Sequence, residues 1–213
     1  SRGSLPYAWE VTLPDLEIQP ALLEMFYEDA TANDTFVACL SGPGYMYPKA
    51  AASSGQLPRL LALAGQSMRT LDLHLMVAFD ASDAGTGGHT VTGDTTLSAE
   101  VIEAYATHLP EAKLVLNGYG PSFSFGLTQR KPRAPGGGPP SNFSTISFDY
   151  YLDPARGVAP AAADLVSLAD LNPQAPYLLA VHVREYSSVG RVAQILDALP
   201  SGRFALLPPH EWM

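Results

Sequence analysis

The sequence predicts an α/β domain in which a parallel sheet is flanked by helices, of the β/α-barrel type. Two observations point there. Apolar strand-like runs alternate with helical patterns about seven times, which is the signature of parallel strands joined by helical crossovers. The strand runs are also nearly continuous in apolar residues, as strands buried on both faces are. A seven-stranded or incomplete barrel and an open doubly wound sheet both satisfy this pattern. The chain's 213 residues are at the short end for a complete eight-fold barrel.

The elements follow in order. Tyr7 to Leu13 is the first strand. A helix over Gln19 to Ala30 stacks Leu22 on Phe26 and Leu23 on Tyr27 at i, i+4 spacing. Thr35 to Ser41 is a strand ended by Gly42-Pro43-Gly44, and a helix around Leu57 to Thr70 leads to a strand over Leu71 to Phe79. Asp80 to Asp94 reads as a polar, glycine-rich loop. Ser98 is placed to cap the next helix, with Glu100 in its first turn. Lys113 to Asn117 is a short strand. The segment 129–140 is rich in Pro, Gly and basic residues and reads as a mobile insertion. Beyond it come a strand over Ser144 to Tyr151, a helix over Ala159 to Ala169 and a strong strand over Tyr177 to Val183. An amphipathic helix carrying Val189, Val192, Ile195, Leu196 and Leu199 precedes a last short strand over Phe204 to Leu207.

Composition narrows the functional classes. With 12 Lys plus Arg and a net charge of −9, the chain lacks the basic patch on which nucleic-acid affinity rests. No run of eighteen apolar residues predicts a membrane-spanning helix. The amino terminus has no leader-like pattern and no initiator Met, so the sequence reads as a piece of a longer protein. Cys39, the one cysteine, lies in an apolar run and reads as an inert core residue. The sequons at Asn33 and Asn142 point weakly to the secretory pathway or the extracellular space.

One stretch carries chemistry. Gly42-Pro43-Gly44-Tyr45-Met46-Tyr47-Pro48 follows directly on a buried strand. Glycines permit close backbone approach and prolines stiffen the turn, so Tyr45 and Tyr47 are expected at the strand's carboxyl end, where parallel β/α folds bind ligands. Tyrosine rings stack on the apolar faces of sugars and their hydroxyls hydrogen-bond. The plainer reading is that both rings only pack the loop.

The stretch matches the signature G-x-G-Y-x-Y-P at every specified position, and the chain resembles the GxGYxYP family. Pro6-Tyr7-Ala8-Trp9 is similar to that family's opening strand. Ala32-Asn33-Asp34-Thr35-Phe36-Val37 resembles its lead-in to the signature. Val181-His182-Val183-Arg184-Glu185-Tyr186-Ser187 resembles its penultimate strand and loop, and Pro208-Pro209-His210-Glu211-Trp212-Met213 its closing segment, from which His210 and Trp212 depart. The resemblance implies a glycoside hydrolase, a barrel-like carboxy-terminal domain and a partner amino-terminal domain absent from this sequence. It carries over no catalytic residues.

Glycoside hydrolysis generally needs two carboxyl groups flanking the scissile bond. Asp80 and Glu185 follow predicted strands directly, and Asp149 lies late in another. These three are the catalytic candidates, with an ion pair or a cap as the structural alternative for each. His182 and Arg184 share one strand face and can orient a carboxylate or a sugar hydroxyl, or be a satisfied buried pair. Asn117, Tyr119 and Trp9 complete the expected substrate-binding set, with a core role as the commoner fate of a strand tryptophan. No cofactor or metal is expected. Asp80, Asp83 and His89 lack ligand spacing, Gly85-Thr86-Gly87-Gly88 lacks the phosphate-loop lysine, and Ser41 is not centred in a nucleophile elbow. The competing functions are a noncatalytic carbohydrate-binding or scaffold domain and, with His89 near Asp80 and Asp83, a metal-dependent hydrolase.

Overall fold

The computed structural model describes residues 2–80, 85–87, 90–92, 97–119, 143–171, 178–183 and 187–213. The predicted insertion at 129–140 lies outside them. Five parallel strands form the main sheet: β1 (Tyr7–Thr12), β2 (Asp34–Cys39), β3 (Leu75–Ala78), β6 (Leu114–Tyr119) and β7 (Ser144–Phe148), adjacent in that order. A hairpin of β4 (Gly85–Gly87) and β5 (Thr90–Thr92) interrupts the stretch expected to be pure loop. β8 (Tyr150–Leu152) continues β7 after Asp149 and pairs in parallel with β9 (Val181–Val183).

Because the strands are used in sequence order, every crossover steps the same way, and right-handed crossovers then put all the helices on one face. The core shows this directly. Val11, Ala38, Met76 and Val115 pack under α2 (Pro20–Glu28), α3 (Pro48–Ser53), α4 (Leu57–Thr70) and α5 (Ala99–His108). Their strand neighbours of opposite parity, Val37, Cys39, Leu75, Val77, Leu114, Leu116 and Phe148, form a second core on the other face with Ala8, Tyr151 and Trp212. α6 (Val158–Leu171) and α7 (Val189–Asp197) cover β8 and β9 in a third cluster. The short α1 (Asp15–Ile18) links β1 to α2.

Local chemistry explains the element ends. Prolines stand in the first turns of α2, α3 and α4, where a missing N–H costs nothing. Ser98 caps α5 as expected, accepting from the Val101 amide at 3.4 Å, and Ser188 caps α7 by accepting from Arg191. α4 buries Leu57, Leu61, Ala64 and Met68, one helical stripe.

The strand predicted over Leu71 to Phe79 begins only at Leu75, because α4 ends in a Schellman turn. Asp72 has φ 52° and the Leu73 amide donates back to the Met68 carbonyl. Phe204 to Leu207, predicted as a strand, makes no ladder among the described residues. It is apolar, but it lies between the Gly202 turn at φ 72° and Pro208-Pro209, and it leaves Leu206 and Leu207 partly exposed. Sequence pattern cannot tell such a run from a paired strand. In β6 the register slips between Leu116 and Tyr119, where Gly118 has φ 60°. This is a bulge that glycine accommodates without strain.

The entrance to the sheet is held by Asp34. Its side chain is fully buried and accepts from the Thr31 amide at 2.9 Å, the Thr31 hydroxyl at 2.8 Å and the Trp9 indole at 2.7 Å. Burial alone pushes this carboxyl up, but these hydrogen bonds and the Arg2 guanidinium outweigh it and hold it below its ordinary value. A carboxyl with a lowered folded pKa contributes stability above its unfolded pKa of roughly 3.9 and loses it as pH falls through the folded value. Urea midpoints are therefore expected to fall in acid below about pH 4. Asp34→Asn should be less stable than the parent at pH 7 and show a shallower acid decline. Parallel acid profiles for the two proteins would contradict this role.

Candidate functional site

The carboxyl ends of β2 and β3 are joined by a dense polar tie. Ser41, 1% exposed and at φ 73°, donates its amide to the Val77 carbonyl at 3.0 Å. Its hydroxyl accepts from the Phe79 amide at 3.1 Å and donates to the Phe79 carbonyl at 3.0 Å. From α5, the Tyr105 hydroxyl donates to the Ser41 carbonyl. Burial, and then the Asp80 carboxylate, push the Tyr105 phenol up, which keeps it a donor.

The glycine–tyrosine turn is built on this tie. A Cβ on Gly42 would lie 2.5 Å from the Met46 sulfur, so glycine lets Met46 fold back over the turn. Met46 thereby joins the helix-side core, and its neighbours Tyr45 and Tyr47 point outward, 61% and 40% exposed. The two rings meet edge to face at 5.7 Å, and Tyr45 meets Phe79 at 6.0 Å. Burial, and then the neighbouring Tyr47, hold the Tyr45 phenol above its ordinary value. Pro48 opens α3, and the next amide, Lys49, donates to Asp80 Oδ2 at 2.5 Å. Asp80 thus satisfies a first-turn N–H of α3, where a negative charge is favoured.

The expected residues fall into distinct places. Tyr45, Tyr47 and Asp80 come together at the carboxyl ends of β2 and β3, with Asp80 fully buried. Asp149, 5% exposed, sits at the break between β7 and β8. Its Oδ2 accepts the Ala180 amide at 2.8 Å while its own amide donates to the Ala180 carbonyl at 2.8 Å. The side chain therefore takes the place of a ladder group where the strand changes partner. Asn117 has the parity of Val115, toward the helices, and its side-chain oxygen accepts the Leu97 amide at 2.6 Å at the start of α5. Trp9 has the parity of Val11, is tied to Asp34 and meets the Tyr7 ring at a tilt, 4.7 Å between centroids. Both make framework bonds. The Tyr119 backbone pairs with Phe148. Arg184, Glu185 and the Asp83 and His89 pair lie outside the described residues, as does the Tyr119 side chain.

His182 faces the open side of the sheet with Phe148 and Tyr151, at ring distances of 5.1 and 5.6 Å. Its Nε2 sits 3.4 Å from Glu10 Oε1, although β1 and β9 are the first and last strands. Sequence reasoning missed Glu10. Its signal was an acid at a single position inside the otherwise apolar strand Tyr7 to Leu13. Cys39 shares this face, and burial, then Glu10 and Asp15, push its thiol up, so it is an inert packing group. The open face carries a cavity of about 460 Å³ whose walls include Glu10, Val77, Phe148, His182 and Trp212. Among the described residues no three His, Cys, Asp or Glu side chains are grouped to hold a metal. No helix among them is long and apolar enough to cross a membrane.

Fold and site together define a singly wound parallel α/β domain that presents an anchored aromatic turn at its strand ends. The chain belongs to the family described as the GxGYxYP putative glycoside hydrolase C-terminal domain, whose profile matches residues 1–213. It is also similar to a solved structure described as a putative hydrolase from Bacteroides thetaiotaomicron VPI-5482, with 18% identity and a TM-score of 0.65. The likeness covers 93% of this chain and 36% of that one. At that identity it shows the fold. No curated protein matches the chain.

Asp149 gives a direct test of these site bonds. Asp149→Ala strands the buried Ala180 amide and is expected to cost roughly 1–3 kcal/mol. Asp149→Asn keeps an acceptor and should cost clearly less. Urea denaturation checks this, and equal losses in the two variants would contradict the ladder role.

Proposed function

We propose that this chain is the sugar-handling domain of a glycoside hydrolase, with a glycan lying along Tyr45 and Tyr47. The observation that carries this reading is the exposed, edge-to-face tyrosine pair, fixed in place by α3 and its cap on Asp80. A fixed aromatic pair offers ring faces to sugar carbons and phenols to hydroxyls without losing side-chain freedom on binding. The match over the whole chain to a family described as putative glycoside hydrolases supports the same class.

In this reading the sheet curls into an incomplete barrel. The strand order and the approach of Glu10 to His182 support the curl. The carboxyl chemistry is assigned to Glu185, Asp80 and Asp149. His182 and Arg184 orient the acids, and Tyr119, Asn117 and Trp9 frame the site. An amino-terminal partner domain fits the greater length of the similar structure, of which this chain covers 36%. An extracellular or secretory setting accompanies a glycan substrate. Asn33 adds little to it, because its amide nitrogen, which a glycan would substitute, donates to the Gly3 carbonyl at 2.9 Å.

A second reading, glycan binding without hydrolysis, is favoured by one observation. Asp80 and Asp149 are both buried, and each commits an oxygen to a backbone amide. A glycan panel separates the two. Tyr45→Ala with Tyr47→Ala is expected to weaken glycan binding by at least about tenfold, as a loss of about 1.4 kcal/mol or more would. Glu185→Gln should abolish hydrolysis while binding persists. Binding by the parent without hydrolysis would establish the second reading, and no binding to any glycan would remove both.

A further inference from the structure

A catalytic carboxyl has to reach its substrate. Asp80 and Asp149 are buried, and each commits an oxygen to a backbone amide. Glu10 is placed differently. Its side chain is 32% exposed and meets His182 at 3.4 Å. Among the described residues its carboxylate makes no further hydrogen bond or ion pair. It is also the one carboxyl among the described walls of the open-face cavity.

Strand register sets this position. Glu10 pairs with Val37 and shares the parity of Ala8, so it faces the open side of the sheet. The cavity there, of about 460 Å³, falls in the range of small-molecule sites, roughly 300–1,000 Å³. One of its walls is Ser187, in the connection from β9 to α7. The tyrosine turn is likewise a strand-to-helix connection, from β2 to α3. In a parallel sheet such connections lie along one edge, the edge at which ligands bind. Cavity and turn therefore share that edge.

We propose that Glu10 is a further catalytic carboxylate of the glycan hydrolysis proposed above, a reading on which this assignment rests. It acts on a sugar unit that enters the cavity from the tyrosine turn. The Glu10 carboxylate takes a proton from water, and the water oxygen bonds to the anomeric carbon. The glycosidic C–O bond breaks and its electron pair leaves on the departing oxygen, which a carboxylic acid on the other side of the bond protonates.

Dinitrophenyl glycosides isolate this step, because their leaving group departs as an anion and needs no acid. On a panel of them, Glu10→Gln is expected to lower kcat at least about a hundredfold, the lower end of what acid–base catalysis contributes, with KM little changed. Formate, a small carboxylate, should raise the rate of Glu10→Ala but not that of the parent, a response that a purely structural Glu10 would not give. In the parent, the sugar of the cleaved glycoside should protect Glu10 from carbodiimide modification, read by peptide mass mapping. That measurement decides the assignment even if neither variant folds. Full activity of Glu10→Gln, a Glu10→Ala rate indifferent to formate, or equal modification of Glu10 with and without the sugar would overturn the assignment and leave the glycan reading standing. A parent that binds glycans but cleaves no glycoside would overturn the assignment and the hydrolase reading together.

Discussion

The hydrogen bond from the Lys49 amide to the buried Asp80 carboxylate fixes the geometry of the whole tyrosine turn. Asp80 sits just beyond β3, and Lys49 is the second residue of α3, so one contact locks a loop to a strand that is distant in sequence. The Ser41 hydroxyl, paired with both backbone groups of Phe79, holds the other end of the same turn. Between these anchors Gly42 makes room for Met46 to fold back over the turn, while Tyr45 and Tyr47 are left exposed. The signature's spacing follows from this arrangement. Glycine serves packing, tyrosine serves exposure and proline starts the helix that Asp80 caps.

The second organising constraint is strand parity. In a singly wound sheet the two faces have different fates, since one meets the helices and the other packs with residues of the chain's last turn. Asn117 and Trp9 lie on the helix-facing parity and are taken up in framework bonds. Glu10 and His182 lie on the open parity and meet across it.

Much of this was legible in the sequence. Local signals set the helices: α4 was expected over the range observed, and Ser98 was placed as a cap by residue type alone. The turn after β2 was legible because glycine and proline punctuate so strongly. Tertiary context decided the rest. The residues Leu71 to His74 look like strand, but the Schellman turn at Asp72 claims them. Phe204 to Leu207 has the composition of a strand, but no ladder partner reaches it among the described residues. The acids Asp80 and Asp149 were found by their position at strand ends. Their backbone partners, Lys49 and Ala180, are 31 residues away in each case and could not be read from pattern. Glu10 was overlooked because its partner, His182, comes from the far end of the chain.

Native-state hydrogen exchange at the Lys49 amide tests the central claim most directly. With Asp80 intact, this amide should be strongly protected although it belongs to the first turn of a short helix. In Asp80→Ala its protection is expected to drop at least about tenfold, the exchange equivalent of one lost charge-assisted hydrogen bond, while amides within β3 such as Val77 keep theirs. Unchanged protection of Lys49 in that variant would mean that something other than Asp80 positions the tyrosines.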